Sequence, residues 1–161
     1  MLLARRFSVC FAVVLAITGG LIALSGAWVS PAFRGGADQD DLKPLVDVEH
    51  LMESVVNPAF ASVKKGLGEK PENRKSWKQI HSASIVIGES GNLLLFRKPE
   101  EADAKAWTSL SVGLREAADG LVKATRAQDY DASTKAYLAV VNACNKCHGK
   151  FGEDGEPKIE P

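Results

Sequence analysis

Between residues 42 and 152 the apolar side chains recur at steps of three and four, and nowhere do they alternate as the two faces of a strand do. That spacing places them on one stripe of an α-helix, and a stripe of this kind has to be buried against another. The first stripe holds Leu45, Val48, Leu51, Met52, Val55, Val56, Ala59, Phe60, Val63 and Leu67, and Pro58 inside it predicts a kink because it removes a backbone donor and crowds the preceding turn. "GLGEKPEN" breaks the pattern. A second helix carries Trp77, Ile80, His81, Ser84, Gly88 and Leu95 on one face, and its run "SIVIG" predicts burial nearly all round. "RKPEE" ends that helix and opens a third, with Pro99, Glu100 and Glu101 suited to a first turn. The third stripe is Trp107, Leu110, Leu114, Ala117, Ala118 and Leu121. After "AQDYD", where Asp129 or Asp131 can cap, the last stripe is Tyr137, Val140, Val141, Cys144, Cys147, His148 and Phe151, before Gly149 and Gly152 weaken and close the helix. Four helices with short connections make the chain all-α, most simply an antiparallel up-down-up-down bundle over residues 42–152. The polar tail, 153–161, reads as flexible.

Composition narrows the class. A chain of 161 residues that is 45% hydrophobic and 25% charged has the size of one globular domain with a short extra segment. Lysine plus arginine and aspartate plus glutamate number 20 each, so there is no basic field of the sort that draws nucleic acid.

The extra segment is residues 1–33. Arg5 and Arg6 are followed by a stretch without a charge from Phe7 to Phe33, longer than the roughly 7 to 15 residues of a signal-peptide core and close to the roughly 20 that span a bilayer. Ser25 and Ala27 offer a small-x-small cleavage site before Trp28. A cleaved signal peptide and an uncleaved anchor, with membrane attachment through residues 7–29, both stay open, and either delivers the remainder across the membrane to a periplasmic location. Cys10 within the segment reads as an apolar filler. Residues 34–41, "RGGADQDD", are a polar linker.

The chemistry is concentrated in "VVNACNKCHGKF". Positions i, i+3 and i+4 share a helical face, so Cys144, Cys147 and His148 all point toward the bundle interior. Cys-x-x-Cys-His is the attachment pattern of c-type haem, with Cys144 and Cys147 forming thioethers to the porphyrin and His148 binding iron as the proximal ligand. A thioredoxin-like pair would want a βαβ context, a zinc site a further ligand, and a disulfide across one helical turn would be strained.

A four-helix chain with this motif in its last helix resembles the class II c-type cytochromes, the cytochrome c-prime group, over roughly residues 42 to 152. "EHLMESVVNPAFASVKKGLG", "SWKQIHSASIVIGESGNLLLFR" and "NACNKCHGKF" are similar to uncharacterised exported haem proteins of planctomycete-type bacteria. The resemblance implies one covalent haem c whose far face is covered by the first helix, which carries a methionine in the low-spin members and an apolar residue in the five-coordinate, gas-binding ones. Met52 occupies the matching place and is the expected sixth ligand. His50, two residues away and so roughly opposite on the helix, is the alternative, and His81 reads as a hydrogen-bonded core histidine. Val48 stands where the family places an arginine, which leaves Arg74, Lys78 or Arg97 to meet a haem propionate. Homodimers occur in the family, so a homodimer is one expected state.

Two functions follow. With methionine and histidine on both sides of the iron, the chain is a one-electron carrier serving redox partner proteins outside the cytoplasm, and not an enzyme. With an open sixth position, it is a module that binds or senses nitric oxide or carbon monoxide.

Overall fold

The computed structural model describes residues 43–100, 102–152 and 158–161, and every regular element among them is helical. The segments expected as signal or anchor (1–33) and linker (34–41), together with Glu101 and residues 153–157, lie outside the described residues. Among those that are described, no helix is long and apolar enough to cross a membrane.

The first rod is composite: α1 (Val48–Leu51), a π-helical turn (Met52–Val56) and α2 (Asn57–Leu67). Three longer helices follow, α3 (Arg74–Leu95), α4 (Ala104–Ala127) and α5 (Tyr130–Phe151). Each long segment starts at an acid or amide whose side chain takes up an orphan N–H of the first turn. Asp47 accepts from His50 N–H at 2.9 Å, Asn73 from Ser76 N–H at 3.0 Å, and Asp129 from Ala132 N–H at 3.0 Å. Asp103 accepts from both Lys105 and Ala106 N–H at 3.0 Å.

Three sequence expectations are corrected. The first rod begins at Val48, and Leu45, expected on its inner stripe, precedes the helix and is 95% exposed. The third long segment does not start on Pro99 and Glu100, because the Asp103 carboxylate satisfies two N–H groups and fixes the start there, while Ala102 N–H turns back to the Pro99 carbonyl at 3.1 Å. The run "SIVIG" is buried on one side only: Ser84 and Ile87 are inside, and Ile85 and Val86 are more than a third exposed.

Pro58 acts through the turn before it. Proline has no N–H to return to a carbonyl four residues back, and the preceding turn widens so that Asn57 N–H reaches the Met52 carbonyl, five residues back. The expected disturbance at Pro58 therefore takes the form of a π turn.

Contacts between helix ends give the order and direction. Trp107, in the first turn of α4, donates its indole N–H to the Leu94 carbonyl at the end of α3 at 2.8 Å, and His81, early in α3, meets Thr125, late in α4, at 3.2 Å. Trp107 also packs edge-on against Phe151, at the end of α5, with ring centroids 5.1 Å apart. At the other end the Tyr130 hydroxyl donates to the Leu67 carbonyl, joining the start of α5 to the end of α2. Consecutive rods thus run antiparallel, and α5 closes on the first.

The core explains the close packing of α3 on α4. A Cβ at Gly91 would come within 3.0 Å of Arg115 Cβ, Arg115 N and the Ser111 carbonyl, so only glycine leaves room for the facing helix. Buried Ser84, Ser90, Ser111 and Thr125 each donate their hydroxyl to the carbonyl four residues back at 2.8 Å, which satisfies the donor within its own helix, and Thr125 alone of the four also meets a side chain of the neighbouring helix, His81. Trp77, Trp107 and Tyr137 are core residues, as their spacing predicts. The α4 to α5 connection is only Gln128 and Asp129. Gln128 lies in the left-handed region (φ 57°), donating to the Thr125 carbonyl at 3.2 Å, while Asp129 N–H donates to the Ala124 carbonyl at 3.2 Å. The result is a Schellman closure of α4 whose last residue also caps α5.

Candidate functional site

The last two turns of α5 set the site. Helical spacing puts Cys144, Cys147 and His148 on one side of α5, with Cys144 buried and the other two half-buried. They face a cavity of about 110 Å³ whose lining is largely apolar. Val56, Asn57, Phe60 and Met52 close it from the first rod, Leu94 from α3, Leu110 and Leu114 from α4, and Ile159 from the tail.

Met52, Val56 and Phe60 follow one another at steps of four along the first rod and reach the same cavity with Asn57, and the π turn lies within this run. The structure therefore brings Met52 together with Cys144, Cys147 and His148. His50 is elsewhere: its side chain is 64% exposed and its Nδ1 lies 2.8 Å from Asp47 Oδ1. Hydrogen bonding to Asp47 raises the His50 pKa above its ordinary value, and the same bonds, backbone first, lower that of Asp47. His81 is half-buried and shares a hydrogen bond with the buried Thr125 hydroxyl. It stands thirteen residues before Leu94 on α3, roughly 20 Å along the helix from the cavity.

The charged residues named for a propionate are placed differently from one another. Arg74 and Lys78 line a pocket beside Trp77, His81, Thr125 and Arg126, at the far end of the bundle from Cys144. Arg97 is nearer, with its guanidinium donating to the Val46 and Leu93 carbonyls at 3.0 and 2.8 Å.

The thiols are not bonded to each other. Burial pushes the Cys144 thiol up to about 11, with Cys147 adding to the effect, and burial raises Cys147 as well. Thiols held in their protonated form are the opposite of the low-pKa cysteine that disulfide exchange requires. Among the described residues no three His, Cys, Asp or Glu side chains converge as a cage for a bare metal ion.

Haem attachment draws on donors of the same kinds. Two thiols one turn apart, an adjoining imidazole, a thioether across the cavity and apolar walls are the groups that covalent attachment and axial ligation use. In volume the cavity is below the roughly 300 Å³ at which ligand pockets begin. Ile159 contributes to that closure. A buried polar atom lies nearby: Tyr137, two turns before Cys144 and packed on Phe60 at 5.5 Å between centroids, has a hydroxyl without a hydrogen-bond partner among the described residues.

Sequence reasoning missed two residues of this site. Ile159 was read as part of a flexible tail, yet it is half-buried against the bundle. Asn145, inside the cysteine motif, holds it there, accepting from Ile159 N–H at 2.8 Å and donating to the Ile159 carbonyl at 3.0 Å. A lone large apolar residue in a polar tail was the available signal.

No family model, curated protein or solved structure matches the chain.

Proposed function

We propose that the chain is an exported c-type cytochrome of the class II kind, carrying one covalent haem c and transferring single electrons to and from partner proteins outside the cytoplasm, with no catalytic role of its own. The observation that carries this reading is the convergence of Met52 with Cys144, Cys147 and His148 on one apolar cavity between the first and last helices. Cys144 and Cys147 would hold the group through thioether bonds, and His148 and Met52 would bind its iron. A haem held between methionine and histidine supplies a one-electron couple of raised potential.

The chain's own residues support that use. The thiols and the imidazole come from a single pair of turns, so their spacing is fixed by the hydrogen bonds of α5. Met52 comes from a turn whose register is set by Pro58 next to it, on a rod packed against α3. Leu94, Leu110, Leu114 and Phe60 give the cavity apolar walls, which favour the less charged state of a group held against them. Export rests on the uncharged stretch from Phe7 to Phe33 behind Arg5 and Arg6.

Ferric and ferrous absorption spectra of the purified chain, before and after carbon monoxide, test the reading. A six-coordinate low-spin spectrum with a sulfur-to-iron band that ignores the gas is expected. Prompt carbon monoxide binding to high-spin ferrous iron would instead assign the chain to gas binding.

A further inference from the structure

We propose that Lys158–Pro161 is a strap over the thiol and imidazole pocket and that Asn145 is the positioning residue that holds it, so that Ile159 sets what reaches Cys144, Cys147 and His148. The part of this that concerns haem rests on the function proposed above; the strap itself does not.

Asn145 is the first residue inside the Cys-x-x-Cys-His motif, adjacent to Cys144 on α5. Its side-chain amide engages both backbone groups of Ile159, at 2.8 and 3.0 Å, the pairing that a neighbouring strand would make. A single bond would leave the segment free to swivel, whereas two fix the orientation of the residue between them. A second tie comes from α2, where Lys64 Nζ donates to the Glu160 carbonyl at 3.0 Å. The strap is therefore fastened to both helices, α2 and α5, and Ile159 lines the cavity together with Met52 and His148.

The cavity beneath it, about 110 Å³, is below the roughly 300 Å³ of ordinary ligand pockets. Ile159 covers this space and shields the two thiols from solvent, and Asn145 carries the link because it shares a helical turn with the thiols and reaches the strap with its amide.

Thiol labelling of the full haem-free chain with a maleimide tests this, read peptide by peptide so that Cys10 does not contribute. Deleting residues 158–161, or Asn145→Ala, should speed labelling of Cys144 and Cys147 at least tenfold with helix content by circular dichroism unchanged. Asn145→Asp, which keeps the acceptor for Ile159 N–H and loses the donor, should fall between. Equal rates in all the chains would overturn the strap. Amide exchange at Ile159 in the unaltered chain needs no variant: slowing of tenfold or more relative to an unstructured peptide is expected, and free exchange would overturn the proposal. If the chain never acquires haem but the labelling difference stands, the proposed function fails and the strap survives. If haem attaches and labelling rates are equal, the strap alone fails.

Discussion

Met52 and His148 line one cavity from different rods, the methionine from the π turn of the first and the imidazole from the last turn of α5. The two are distant in sequence, and what joins them is the antiparallel return of α5 along the first rod. Pro58 completes the relationship by widening the turn that presents Met52.

Met52→Ala therefore has two expected effects. The haem-free chain should lose roughly 1–3 kcal/mol of stability, toward the low end for a methionine because the side chain is half-exposed. The haem-loaded chain should lose its sulfur-to-iron band and gain carbon monoxide binding. Urea titration and absorption spectra read the two effects separately, and an unchanged spectrum would remove Met52 from the iron.

Gln128 occupies a left-handed position with φ 57°, where a Cβ is strained and glycine is not. Gln128→Gly relieves about 1–2 kcal/mol of left-handed strain and loses about 0.4–1 kcal/mol to the freer unfolded chain, a net stabilisation of roughly 0.5–1 kcal/mol seen as a higher denaturation midpoint at an unchanged slope. A loss of stability would mean that the Gln128 side chain contributes more than its backbone strain costs.

Gly91 faces Arg115 and the Ser111 carbonyl at 3.0 Å from where a Cβ would lie. Gly91→Ala should destabilise by about 1–3 kcal/mol by pushing α3 from α4. The helix-favouring effect of alanine works in the opposite direction, by about 1 kcal/mol, so a neutral result would show that the two helices separate easily.

Tyr137 gives a dependence on alkaline pH. Burial, with a smaller contribution from Cys144, raises its hydroxyl from 10.0 to about 12. An unfolded tyrosine releases its proton near 10, so between these values the unfolded chain has lost a proton that the native chain keeps. Stability is then whole below pH 10 and falls as the pH rises toward 12. Tyr137→Phe should remove part of that fall and, by eliminating a buried hydroxyl that has no partner among the described residues, cost little or nothing at pH 8. Urea titrations of both chains at pH 8 and pH 11 measure the difference, and parallel losses would contradict it.

The four rods were legible because burial on one face imposes a period that the sequence must carry, and the inner residues from Trp107 to Leu121 and from Tyr137 to Cys144 follow it. Asp129 was legible as one of two candidate caps, and its bond from Ala132 N–H decides for it over Asp131. The start of α4 was not, since Pro99 and Glu100 also suit a first turn and only the two bonds to Asp103 decide between them. Nor was the π turn, because a proline states that a hydrogen bond is missing without stating how the chain adjusts. Ile85 and Val86 fall on the side of α3 turned from the buried Ser84 and Ile87, and which side of an apolar run meets the other rods is set by their placement, which no local pattern records. The placement of Ile159 was hidden for the opposite reason: its partner, Asn145, lies in another element and in a motif whose cysteines and histidine draw the attention.

The most direct measurement is the mass and colour of the chain after export from a cell that attaches haem, followed by extraction with acidified acetone. Colour that stays with the protein, and one added haem on the peptide spanning Cys144 and Cys147, is the expected result. A colourless chain with both cysteines unmodified would contradict it.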